Sequence, residues 1–123
     1  MDVIAYNPLT KRRLGITVKS RTRIFGTEKE NIFLFKRIKK DREKLVDACE
    51  AFQCEPWIAV YTECDKDADL FLTSLANYEA KYKKKEIKTN AWEMTQKYRS
   101  AYEKDSEVRH IRITFEANNW WPQ

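Results

Sequence analysis

Residues 56–63, PWIAVYTE, keep apolar side chains at consecutive positions where a half-exposed strand would alternate. A strand of this kind is buried on both faces, as happens inside an α/β sheet whose two sides are covered. The preceding segment fits such a sheet. Residues 39–54, KKDREKLVDACEAFQC, carry Leu45, Val46, Cys49 and Phe52 at helical spacing, with most charges elsewhere. A hairpin is found upstream of the helix. Asp2–Asn7, DVIAYN, is a short apolar strand, PLTKRR is a turn opened by Pro8, and LGITVKSR alternates as the returning strand of a hairpin.

The remainder of the chain continues the pattern. Residues 31–36, NIFLFK, read either as a strand or as the entry to the helix. DKDAD makes a turn, Asp69–Thr73 begins a further strand, and NAWEMTQKYRSAYEKD reads as a second amphipathic helix capped by Thr89 or Asn90. VRHIRITFEA alternates as the last strand. The expectation is one domain over residues 1–123, of α/β (α+β) class, with a mixed central sheet and two main flanking helices. Phe71, Trp57, Tyr61 and Phe115 have strand spacing and read as core, as do Tyr98 and Tyr102 on the second helix. Trp120 and Trp121 read as closing the core from the C-terminal end, with base stacking and self-association as the other uses of such a pair.

Composition narrows the chemistry. Cys49, Cys54 and Cys64 lack metal-binding spacing, and His110 is the only histidine, which argues against zinc and for reduced structural thiols. His110 itself, within a strand, reads as structural. No apolar run is long enough to span a membrane and no secretory leader is apparent, so a cytoplasmic protein is expected. The net charge of +5 is unevenly spread: Lys11–Arg23, KRRLGITVKSRTR, holds six cations and no acid. Lys36–Lys44 and Lys81–Lys88 are further basic clusters. A polyanion partner follows from the first cluster, because neutralising phosphates releases counterions and steers encounter.

An aspartate opening one strand of a hairpin and a lysine on the other, Asp2 with Thr17-Val18-Lys19, resembles the core of the PD-(D/E)XK nucleases. Within this restriction-endonuclease-like group the archaeal Holliday-junction resolvases are the nearest likeness. Their cores read D, short apolar strand, turn, then (E/D/Q)-x-K. The KSR continuation, the helix after the hairpin and the strand WIAVYT extend the resemblance over about the first half of the chain. It implies a nuclease-like fold that binds nucleic acid, DNA before RNA, and a magnesium-dependent endonuclease activity. Asp2 would be both a metal ligand and a catalytic residue, and Lys19 would position or activate the attacking water.

Two departures qualify what is implied. Thr17 stands where the second acid belongs, and nothing before Asp2 supplies the family's first helix, so the core is N-terminally shortened. Asp41 and Glu43 at the start of the helix are the candidate replacements as metal ligands; Glu28, Glu30 and Glu63 read as surface carboxylates. Thr17, Ser20, Arg12, Arg13, Arg21 and Arg23 are the expected substrate contacts. A sheet without the first helix is expected to be covered by a second copy in a homodimer. The alternative is a catalytically inactive relative used as a binding or oligomerisation module, and a third reading is an unrelated α/β domain.

Overall fold

The structure is a computed structural model, and it describes residues 1–22, 31–35, 38–64, 66–83 and 90–115. Its elements are β1 (Val3–Tyr6), β2 (Arg13–Thr22), β3 (Asn31–Phe35), α1 (Ile38–Ala51), β4 (Glu55–Cys64), β5 (Asp67–Ser74), α2 (Leu75–Lys81), β6 (Asn90–Glu93), α3 (Gln96–Lys104) and β7 (Val108–Thr114). Five strands form a mixed sheet in the order β1-β2-β4-β5-β7, and β3 and β6 make a separate antiparallel pair. Class, hairpin and first helix follow the sequence expectation. The sheet is mixed because β2 and β4 run parallel, with Lys19 opposite Val60, while every other pair is antiparallel.

The parallel pair requires a crossover, and α1 belongs to it. Leu45 and Cys49 of α1 are buried against Ile58 and Val60 of β4 and Phe71 of β5. Cys49 Sγ lies 3.7 Å from the Gly15 carbonyl oxygen. A Cβ on Gly15 would stand 2.5 Å from Cys49 Sγ, 2.5 Å from Met1 Sδ and 3.1 Å from Cys54 Cβ, so a glycine is needed for this close approach. The helix stops earlier than its apolar pattern implies. Gln53 takes a left-handed conformation, with φ at 55°, and the Cys54 amide donates to the Cys49 carbonyl at 2.7 Å. This is a Schellman-type ending, which turns the chain into β4 and leaves Phe52 exposed.

The second helix of the sequence reading is corrected. NAWE is strand β6, paired with β3, and only Gln96–Lys104 is helical, with Thr95 at the capping position. Local composition favours a helix over the whole segment, but Trp92 and Met94 alternate into the core and tertiary burial decides the outcome. Leu75–Lys81 forms a third helix, started by Ser74 Oγ accepting from the Asn77 amide at 3.1 Å. Phe71, Tyr78, Trp92 and Tyr102 form a core of edge-on aromatic contacts, with Phe71 and Tyr102 centroids 5.8 Å apart.

All three helices and β6 contribute to one core on one face of the five-stranded sheet. The opposite face carries Val3, Ile16, Val18, Ala59, Tyr61, Leu70 and Leu72, which line an open trough. Strand β4 therefore has apolar residues on both faces, as its sequence demands, yet among the described residues only one of those faces is covered by helices. Trp57 and Tyr61 are half-buried and Phe115 is exposed, against the expectation that all three are core. Trp120 and Trp121 lie outside the described residues.

A polar network ties α2 to the end of α3. The Asp105 carboxylate accepts from Tyr82 Oη, from Lys81 Nζ at 3.2 Å and from the Glu107 amide at 2.9 Å. Burial alone would raise its pKa, but the bonds from Tyr82, the Glu107 amide, Lys81 and Asn77 outweigh that and hold it at about 2. The folded state thus favours the ionised form. The contribution is complete above the ordinary value of 3.8 and is lost as the pH falls toward 2.

Two outcomes follow for stability. Asp105→Asn should flatten the loss of stability between pH 4 and pH 2 and cost about 1–3 kcal/mol at neutral pH, read by urea unfolding across that range. Gly15→Ala should cost about 1–3 kcal/mol through overpacking against Cys49, and Cys49→Ala in the same chain should recover part of it.

Candidate functional site

The hairpin places Asp2 through its first ladder contacts. Val3 pairs with Ile16, and the Asp2 amide donates to the Ile16 carbonyl at 2.8 Å. The Asp2 side chain then extends the ladder: Oδ2 accepts from the Val18 amide at 2.7 Å and from Thr17 Oγ1 at 3.2 Å. Thr17 is thereby a hydroxyl donor to Asp2.

Alternation along β2 puts Thr17, Lys19 and Arg21 on the helix-bearing side of the sheet, in register with Ile58, Val60 and Thr62. Lys19 is half-buried, its stem alongside the margin of the core. Ser20 projects to the opposite side, in register with Tyr61. Ser20, Arg21, Tyr61 and Glu63 line a small pocket of about 140 Å³. Burial first, and then Glu63, push the Tyr61 hydroxyl pKa up, and its Oη lies 3.4 Å from Glu63 Oε2.

Helix α1 separates the two candidate acids. Asp41, Leu45 and Cys49 are spaced by four, so Asp41 continues the stripe that faces the sheet, and it is half-buried. From Cys49 at Gly15, eight residues back to Asp41 carry the helix about 12 Å. Lys19 lies about 13 Å beyond Gly15 along β2. A crossover helix runs antiparallel to the strands it joins, so the chain from Cys49 back to Asp41 runs in the same sense as β2 from Gly15 to Lys19. Glu43 is about 200° around the helix from Asp41 and is exposed.

The remaining predicted contacts do not gather here. Arg13 opens β2 and Arg12 immediately precedes it, Arg13 about 26 Å along the strand from Arg21. Arg12 pairs with Glu55 at 2.6 Å and lies over the Trp57 ring, 6.0 Å from its centroid. Arg13 donates to the Phe52 carbonyl at 3.0 Å, at the end of α1, and lies 5.9 Å from the Tyr6 ring centroid. Both cations therefore have structural partners, and the basic cluster of the sequence divides between two ends of one strand. Arg23, Glu28 and Glu30 lie outside the described residues.

One polar group escaped the sequence reading. Arg21, Thr62, Asp69 and Arg112 fall in one row across the helix-bearing face. Asp69 is only 5% exposed, with His110 Nε2 2.8 Å from its Oδ1, and the His110 ring stacks on Phe71 at 4.5 Å. His110 thus partners a buried carboxylate. The signal in the sequence was Asp67 and Asp69 alternating within an apolar strand, which a turn assignment over residues 65–69 hid.

Among the described residues no three His, Cys, Asp or Glu side chains are close enough together to hold a metal ion. Asp2 is the carboxylate bonded into the hairpin margin, and magnesium commonly takes only one or two protein carboxylates with water and phosphate completing its shell. No described helix is long and apolar enough to cross a membrane. No protein-family model matches this chain, and no curated protein or solved structure does so either.

Proposed function

We propose that the chain binds nucleic acid, DNA before RNA, at the Asp2–Lys19 edge of a PD-(D/E)XK-like core, and that the same edge supports magnesium-dependent phosphodiester hydrolysis. The observation that carries this reading is the shared location of Asp2, Thr17 and Lys19 on one side of a hairpin, followed by a crossover helix and a parallel strand. Asp41, half-buried near the start of α1, is the acid we propose to join Asp2.

The chemistry assigns a role to each group. Magnesium, when bound, polarises a phosphoryl oxygen and lowers the pKa of a coordinated water. Asp2, with Asp41, would hold the ion. The Lys19 ammonium would bond a non-bridging phosphate oxygen and orient the attacking water. Arg21, two residues on along the same face, would hold the neighbouring phosphate. This interface is small, so backbone phosphates rather than base edges would dominate affinity, and binding would weaken steeply with salt.

A second reading is favoured by Thr17. Its hydroxyl, in the place of the second acid, is bonded to Asp2, which makes a binding module without hydrolysis the alternative. A cleavage assay on duplex, branched and single-stranded DNA with magnesium decides between them. Hydrolysis lost in Lys19→Ala and Asp41→Asn but kept in Glu43→Gln supports the active reading. Salt-sensitive binding without hydrolysis supports the second. No binding by the unaltered chain removes both.

Thr17→Glu provides an independent outcome. A second carboxylate beside Asp2 should lower the melting temperature without metal, through like-charge repulsion, and raise magnesium affinity about tenfold. Calorimetric titration with magnesium measures the gain.

A further inference from the structure

Two outer strands that a flat sheet would hold far apart meet over one cavity. Strands β1 and β7 are the edges of the five-stranded sheet, about 19 Å apart if it lay flat. Yet Arg109 of β7 lines a cavity of about 320 Å³ together with Ala5 of β1 and Leu14 of β2. The sheet therefore curls, and the face opposite the helices is its concave side. Tyr6, Asn7, Thr10 and Arg12, from the hairpin turn and its flanks, complete the cavity wall.

Charge and apolarity are separated within this space. Alternation along β1 and β2 continues the wall from Ala5 and Leu14 to Val3, Ile16 and Val18, which line the trough. Ile16 and Ala59 are the trough's buried floor, while Val3 and Val18 stand 46% and 36% exposed at its side. Leu72, also in the trough, is in register with Arg109, so the two spaces adjoin. The two cations at the cavity end differ. Arg12 is engaged by Glu55 at 2.6 Å and lies over the Trp57 ring. Arg109 is exposed and has no ion-pair partner among the described residues. A guanidinium with unused donors beside an apolar channel suits a carboxylate joined to a hydrocarbon chain. From Leu14 to Ser20 the strand runs about 20 Å, which is room for an extended chain of medium length.

We propose that the concave face binds a medium-chain fatty carboxylate, with its head on Arg109 and its chain along Leu14, Ile16 and Val3. Lys19 projects to the other face, so this inference is independent of the nucleic-acid reading. Calorimetric titration of the full chain with decanoate, decan-1-ol and acetate tests it. The acid should bind one to one, the alcohol about tenfold more weakly, and acetate not measurably. Arg109→Gln should bring the acid down to the affinity of the alcohol and leave the alcohol unchanged; Arg109 is exposed, so the substitution spares the core. Val3→Ser should weaken the acid and the alcohol alike, severalfold, by removing apolar surface from the channel. Equal affinity for acid and alcohol in the unaltered chain overturns the proposal, as does acid binding that Arg109→Gln leaves intact. Binding at many sites, as a detergent binds, overturns it too, and so does no binding of the acid at all.

Discussion

The parallel pairing of β2 with β4 is the constraint on which the rest of this fold rests. Two adjacent strands in one direction cannot be joined by a turn, so the chain between them must leave the sheet and return, and α1 is the packed part of that excursion. Its return depends on Gly15, where the side chains of Cys49 and Met1 press against the strand so closely that a single methyl group would obstruct them. The hairpin and the helix are therefore one packing problem.

The core and the site occupy different parts of the same face. Phe71, Tyr78, Trp92 and Tyr102 fill the region under the helices, whereas the β1–β2 edge carries the polar groups. Such a division suits a rigid platform with a chemically active margin, because edge residues can meet a ligand without opening the interior. It also explains the partners of Arg12 and Arg13. At the far end of β2 these cations attach the hairpin to the end of α1 and the start of β4, and their role is structural before it is electrostatic.

Much of the local architecture was legible in the sequence, because binary pattern and turn chemistry specify it. The β1–β2 hairpin follows from its alternation, and β4 from its unbroken apolar run. The failures have one origin. NAWE has no strand-specific signal of its own, and its identity depends on pairing with β3, about sixty residues away. Gln53 ends α1 in a conformation that sequence reading assigns to glycine or asparagine. At the site, the identities of Asp2, Thr17 and Lys19 were legible. The bond from Thr17 to Asp2 was not, and neither was the half-burial of Asp41 beside the exposure of Glu43, since that requires the phase of a helix against a strand. The buried Asp69–His110 pair was invisible for the same reason, as its two members are 41 residues apart.

The Asp2 carboxylate gives the fold a property that no single element has. One of its oxygens takes the amide that the β1–β2 ladder would otherwise leave open, so the same side chain stitches the sheet margin and faces the candidate site. A cation drawn to that carboxylate would compete with, or share, the oxygen that holds the strand end. Occupancy of the site and fraying of the first strand are then linked equilibria, each changing the other by the same free energy. Charge and hydrogen-bond capacity at this position are separable, because an asparagine keeps the acceptor for Val18 while losing the negative charge. A charge bound beside that carboxylate would therefore act on the pairing of the first strand as well as on Asp2 itself.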